Sequence, residues 1–110
     1  MVIVTRRHLA EAAKAAPDAR SEIAVWTAIV AHVRWRHFGD VRETFTDADA
    51  VDGYTIFNIR RNRYRLVTII HFAKELADRR TQGHVYVRSF LTHKQYDDRK
   101  NWDREYGNDD

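Results

Sequence analysis

The spacing of apolar residues changes character near the middle of the chain. In the first half they recur every three or four positions. In the second they come in β-branched and aromatic runs. Leu9, Ala12, Ala13 and Ala16 form a narrow apolar stripe, which predicts a helix over Arg6–Ala16 with Thr5 as its cap. Pro17 ends that helix, and Asp18 is placed to cap a second one running to about Arg36. There Ile23, Val25, Trp26, Ile29, Val30 and Val33 supply a broad apolar side. Trp26, Ile29, Val30 and Val33 keep helical spacing and are assigned to the core. Met1–Val4 is a short β-branched run and reads as an edge strand.

From His37 to Gly53 the pattern is that of a connection. Asp40, with Glu43 three residues on, is placed to cap a single turn carrying Val41 and Phe45. Thr46-Asp47-Ala48-Asp49 and Asp52-Gly53 are turn chemistry. Two strands follow, Tyr54–Ile59 and Arg65–Phe72, joined by the basic turn Arg60-Arg61-Asn62-Arg63. His84–Leu91 offers a third strand. The charged stretch Phe72–Gly83 between the last two either extends both strands outward or forms a short helix; the pattern leaves both open. Thr92 and Gln95 make a capping box, with Leu91 and Tyr96 as its hydrophobic staple. His93 is then the first residue of a helix expected to continue through Arg99 and Lys100 toward Trp102. Gly107–Asp110 is expected to fray. The order predicts an α+β fold: two N-terminal helices on a small antiparallel sheet, with a C-terminal helix.

Composition narrows this picture. A length of 110 residues fits one domain, expected over residues 1–106. The hydrophobic fraction of 44% argues for a core and against disorder. No cysteine is present, which removes disulfides and thiolate metal sites. With no membrane-length apolar run and no secretory signal pattern, a cytoplasmic protein is expected.

Charge changes the picture more. The net charge is only +3, but twelve Arg and Lys stand against five Asp and Glu between Arg60 and Arg104. That half carries an excess of seven, so the remainder is net acidic. An Arg-rich basic half favours a polyanion such as nucleic acid. A solvated charged surface is the plainer alternative.

Strand parity sorts the candidates. Arg65, Val67, Ile69 and His71 share one face; Leu66, Thr68, Ile70 and Phe72 share the other. Parity likewise groups Tyr86, Arg88 and Phe90 against Val85, Val87, Ser89 and Leu91. The sets holding Arg65 and Arg88 are expected to share an open cationic face, away from the helices. His93, Tyr96 and Lys100 fall on one side of the following helix, and Asp97 is placed to orient the His93 ring. The N-terminus of that helix would favour a phosphate. A His and a Tyr beside arginines suit phosphodiester chemistry, as proton donor or acceptor and charge stabilisers. Exposed arginines and a staple tyrosine remain the plainer reading. His71 is a second-tier candidate. No Gly-rich phosphate loop, cysteine-based zinc site or serine-nucleophile motif occurs, so no cofactor and no metal are expected.

The segments VDGYTIFNIRRNRYRLVTIIHF and VYVRSFLTHKQYD resemble the HigB branch of the RelE-like toxins. There a VFNI-x-x-N-x-YRL hairpin precedes a VYIR…T-H-x-x-YD segment. FTDADAVDG is similar to the acidic F-x-x-AD-x-V approach of that branch, and the two-helix start matches too. The resemblance runs to about Asp98. The chain departs from it in a longer stretch between Phe72 and Val85 and a longer charged tail. The resemblance implies a type II toxin that cleaves mRNA, commonly on the ribosome, without a metal. It implies an antitoxin partner of the HigA type with a helix-turn-helix, through which alone DNA is contacted. In that setting Arg65 and Arg88 would hold the scissile phosphate, and His93 or Tyr96 would move protons. Arg60, Arg61, Arg63, His71, Lys94 and Lys100 would contact RNA. A gyrase-poisoning ParE-like toxin and a non-catalytic RNA-binding module are the alternatives.

Overall fold

The computed structural model describes residues 1–103. Its elements run β1 (Val2–Val4), α1 (Arg6–Ala15), α2 (Arg20–His32), α3 (Phe38–Thr44), β2 (Asp49–Val51), β3 (Tyr54–Ile59), β4 (Tyr64–His71), β5 (His84–Thr92) and α4 (His93–Tyr96). The five strands form one sheet in the order β1-β5-β4-β3-β2. This is the α+β class that the sequence predicts, with one change to the sheet. β1 pairs with β5 in parallel, while the other neighbours are antiparallel, so the sheet is mixed.

The helices cover one face. Trp26, Val30 and Trp35 meet Phe57, Leu66, Val85 and Val87 there, all of them buried. Trp26 and Phe57 meet edge to face, and Trp35 stacks on Phe57. Helix α2 stops at His32, short of the expected Arg36, and Val33 is extended. That break turns Trp35 into the core, where its side chain is 2% exposed. Of the four residues assigned to the core, Trp26 and Val30 are buried and Ile29 and Val33 are half-buried; Val25, on the same broad apolar side, is exposed.

Three caps differ from expectation. Thr5 precedes α1, but its side chain makes no cap bond. Asp18 lies in a 3-10 turn, Pro17–Ala19, and binds elsewhere. The single turn expected at Asp40 is the seven-residue α3, capped by His37, whose Nδ1 accepts from the Asp40 amide. Asp40 instead accepts from the Arg36 amide. Strand β2 has no apolar run to announce it. It forms because Asp52-Gly53, both with positive φ (49° and 87°), folds it back on β3.

The stretch after β4 forms no helix. It extends outward as an irregular excursion closed by one bridge, Glu75 to Arg80. Arg34 holds it by donating to the carbonyls of Thr81 and Lys74 and to Glu75. Gly83 returns the chain at φ 73°, where a Cβ would lie 2.6 Å from the His71 carbonyl oxygen, so a side chain does not fit.

The C-terminal part departs most. α4 is a single turn, and a 3-10 turn, Arg99–Asn101, follows it. The capping box is present as predicted, with Thr92 and Gln95 bonding reciprocally. The continuous helix toward Trp102 is not. The expected fraying at Gly107–Asp110 lies outside the described residues. No described helix is long and apolar enough to cross a membrane.

Candidate nucleic-acid site on the second sheet face

The face away from the helices is not an open plane. Ile56, Val67 and Leu91 form a small second core there with Trp102, and Tyr54 and Tyr96 pack on its edge. Trp102 stacks on Tyr96 at 4.7 Å, and its ring meets Tyr54 edge-on. The indole N–H donates to the Tyr96 carbonyl. Arg99 fastens this cover by lying 4.3 Å over Trp102 and pairing with Asp52 in the β2–β3 turn. The expected open cationic surface is therefore split into two regions.

A bulge decides which β5 residues belong to it. Pairing runs Val67 to Ser89 and then Thr68 to Val87, so Arg88 is an extra residue on β5. Simple alternation fails across such an insertion. Phe90, expected beside Arg88, instead joins the helix-side core and stacks on Tyr64. Ser89 and Leu91 move to the second face, where Ser89 donates to the Trp102 carbonyl.

Arg88 reaches that face and meets Asp103 at 2.6 Å. The Tyr54 hydroxyl donates to the same carboxylate. Burial pushes the Asp103 carboxyl up, but the Tyr54 and Arg88 bonds outweigh it and hold the group below its ordinary value. Arg88 is thus in a partly buried ion pair, and the structure does not join it to His93.

Arg65 is placed differently. It lies opposite Asn58 and Leu91 at the rim of the small core. It donates to the Asn62 carbonyl at 2.8 Å and sits 3.3 Å from His93 Nδ1. Its guanidinium lies 5.3 Å from the centre of the Tyr96 ring. Because arginine can only donate, His93 Nδ1 accepts in this arrangement and Nε2 carries the proton. Among the described residues no carboxylate lies within ion-pair distance of Arg65. Burial pushes the Tyr96 phenol above its ordinary value, with Arg65 pulling the other way, so it stays protonated at neutral pH. The His93 amide donates to the Arg63 carbonyl, which ties α4 to the β3–β4 turn. Arg65, His93 and Tyr96 are therefore brought together. Asp97 is not the partner of the His93 ring, and a single-turn helix offers little dipole for a phosphate.

The other candidates scatter. In the β3–β4 turn Arg60 and Arg61 are exposed and left-handed, with φ of 55° and 61°. With Arg63 and Glu22 they line a shallow depression. Arg63 is held by Asp18 at 2.6 Å, and Asp18 also accepts from the Tyr64 hydroxyl. The Tyr64 and Arg63 bonds hold the Asp18 carboxyl below its ordinary value. Lys94 is exposed on α4, and Lys100 lies 3.7 Å from Asp98, off the single turn of α4 that bears His93 and Tyr96. His71 shares a face with Arg65 but is six residues further along β4, a separation of about 20 Å. Sequence reasoning missed Asp103, Tyr54 and Asp18 as partners of these cations. Only Trp102, a large aromatic in a polar tail, hinted that the tail returns to the sheet.

Two comparisons bear on what this arrangement belongs to. A search of curated proteins gives no match. The sequence model of one toxin family matches residues 19–99, which takes in Arg65, His93 and Tyr96 and stops short of Trp102 and Asp103. The chain belongs to the HigB toxin family, the RelE-like toxic component of a toxin–antitoxin system, and so has an antitoxin as its partner.

Proposed function

We propose that this toxin is a metal-independent endoribonuclease that cleaves mRNA in the cytoplasm on the ribosome, and that a helix-turn-helix antitoxin of the HigA type silences it. One observation carries this reading: Arg65, without a carboxylate partner among the described residues, lies against both His93 and Tyr96. A guanidinium so placed keeps donors for a phosphate and stabilises the charge that builds on it.

The RNA 2′-hydroxyl attacks its adjacent phosphorus, and the bond to the 5′-oxygen of the next nucleotide breaks. Arg65 neutralises the phosphorane. As the phosphate draws Arg65 toward itself, His93 Nδ1 is released and takes the proton of the 2′-hydroxyl. The Tyr96 phenol, kept protonated by burial, gives its proton to the leaving 5′-oxygen. Arg60, Arg61 and Lys94 grip the RNA backbone around this centre. Arg88 supports the cover with Asp103 and acts on the phosphate only at a distance.

The test is induction of the protein followed by mapping of mRNA 5′ ends. New ends within translated codons, absent for Arg65→Ala, are the expected result. Intact mRNA with damaged DNA overturns the reading in favour of gyrase poisoning. His93→Gln and Tyr96→Phe, each made alone, then separate the two proton-transfer roles.

A further inference from the structure

The second sheet face continues past the Trp102 cover. On β4 and β5, His71 lies directly opposite His84, and Ile69 opposite Tyr86. The His71 ring meets Tyr86 at 4.9 Å, and the His84 ring stacks on Tyr86 at 5.9 Å. The three rings are therefore contiguous. His71 and His84 are exposed and Tyr86 is half-buried. The parallel register of β1 puts Val2 beside His84 and Val4 beside Tyr86, and Val2 is 47% exposed. Among the described residues none of the helices covers this stretch, because the cover sits over Ile56, Val67 and Leu91. None of the six residues that register assigns to it is acidic.

We propose that His71, Tyr86 and His84 form a stacking platform for bases of the same RNA strand whose phosphate Arg65 holds. This rests on the ribonuclease reading and adds a second contact to it. Three features favour a nucleic acid over a protein. Half of the six residues are flat rings, two of them imidazoles, and these sit on the central strands of a sheet, an arrangement suited to stacking successive bases. It has no carboxylate to repel a phosphate backbone. It also shares a strand face with the Arg65 centre, since β4 carries both Arg65 and His71 on either side of the Trp102 cover. The separation of about 20 Å suits a single strand of about four nucleotides or more. Stacking tolerates any base, so the platform would add affinity without adding sequence preference.

The experiment measures binding of fluorescein-labelled oligoribonucleotides at low salt by anisotropy. It uses the full-length wild-type protein and probes with 2′-O-methyl riboses, which lack the attacking hydroxyl and so are not cut. A trinucleotide and a ten-nucleotide strand are compared. The longer strand should bind more tightly, and Tyr86→Leu or the His71→Ala/His84→Ala pair should weaken it by roughly 5- to 100-fold. Tyr86→Trp should restore binding, and the trinucleotide should be unaffected. An unchanged thermal melt checks that each variant folds. If both lengths bind alike, or the platform variants bind the long strand normally, the platform is overturned and the ribonuclease reading stands. If those variants instead lose affinity for the antitoxin alone, the face belongs to the antitoxin. If wild-type protein neither binds nor cleaves RNA, both readings fall together.

Discussion

Arg65 and Arg88 occupy neighbouring strands and the same sheet face, yet their surroundings differ in kind. Arg88 faces Asp103, which also accepts from Tyr54, beneath a tryptophan that seals the small core. Arg65 faces a backbone carbonyl, a neutral imidazole nitrogen and an aromatic ring. A phosphate approaching Arg88 must compete with a carboxylate already in place. One approaching Arg65 meets no carboxylate among the described residues. The difference teaches that cationic residues on one face need not share a task. Arg88 secures the cover that shapes the rim, and Arg65 at that rim remains able to take an anion.

The strongest test of this contrast is Arg65→Ala. Removing a donor aimed at developing charge costs about 10²–10³ in rate, so toxicity and codon-internal cleavage should vanish in growth and 5′-end assays. Thermal stability should hardly move, because Arg65 is only half-buried and supports no other charge. Antitoxin binding should persist. A variant that remains fully toxic would remove Arg65 from the centre and dissolve the contrast.

Arg88→Ala should show the opposite profile. It leaves Asp103 charged and partly buried, with Tyr54 as its remaining partner. Breaking a fully buried pair costs about 3–5 kcal/mol. Here the side chains are 25% and 33% exposed, so solvent screening reduces the loss to about 1–2 kcal/mol. Urea unfolding measures it. Replacing both partners by apolar residues, Arg88→Met with Asp103→Leu, should recover most of the loss. If Arg88→Ala instead abolishes cleavage at unchanged stability, the two arginines act together on the phosphate after all.

Of the two arginines, acid should act on the surroundings of Arg88 and not on those of Arg65. The Asp103 carboxyl is held below its ordinary value in the folded protein. Its contribution is therefore fully present above the unfolded value, about 3.9, and is lost as pH falls through the lower folded value. A pH series of urea midpoints should drop more steeply for wild type than for Asp103→Asn in that acid window. Equal slopes would mean that the pair contributes little.

The same contrast explains which parts of the molecule were legible in sequence. The two N-terminal helices, the hairpin and the capping box follow from local rules, and each is present. The grouping of Arg65 with His93 and Tyr96 was legible because parity holds along β4 and the capping box fixes where α4 starts. The pairing of Arg88 was not. It depends on a bulge that inserts one residue into β5 without leaving a glycine or proline to mark it. It also depends on Asp103, fifteen residues away, returning over the sheet through two short turns. The partner of Arg63 was hidden for a similar reason: Asp18 lies 45 residues earlier and reads as a helix cap. A charge run shows where cations are, but tertiary contacts decide which of them remain available.

The smallest expected effect concerns the turn that presents the remaining cations. Arg60 and Arg61 both adopt left-handed backbone, where a Cβ is unfavourable by about 1–2 kcal/mol per residue. Glycine removes that strain but adds freedom to the unfolded chain, worth about 0.5–1 kcal/mol. The balance for Arg61→Gly is a gain of about 0.5 kcal/mol in stability. That amounts to a rise of about 2–4 °C in melting temperature for a chain of this size. The strain persists because Asp18 fixes Arg63 and Tyr64 while Arg65 holds Asn62, so the turn has no room to relax. The same substitution should weaken RNA binding and flatten its salt dependence by about one phosphate contact. A variant that is more stable and binds RNA less well would identify the turn as a strained presenter of charge. A variant that loses stability would show that the Arg61 side chain makes contacts that outweigh its backbone strain.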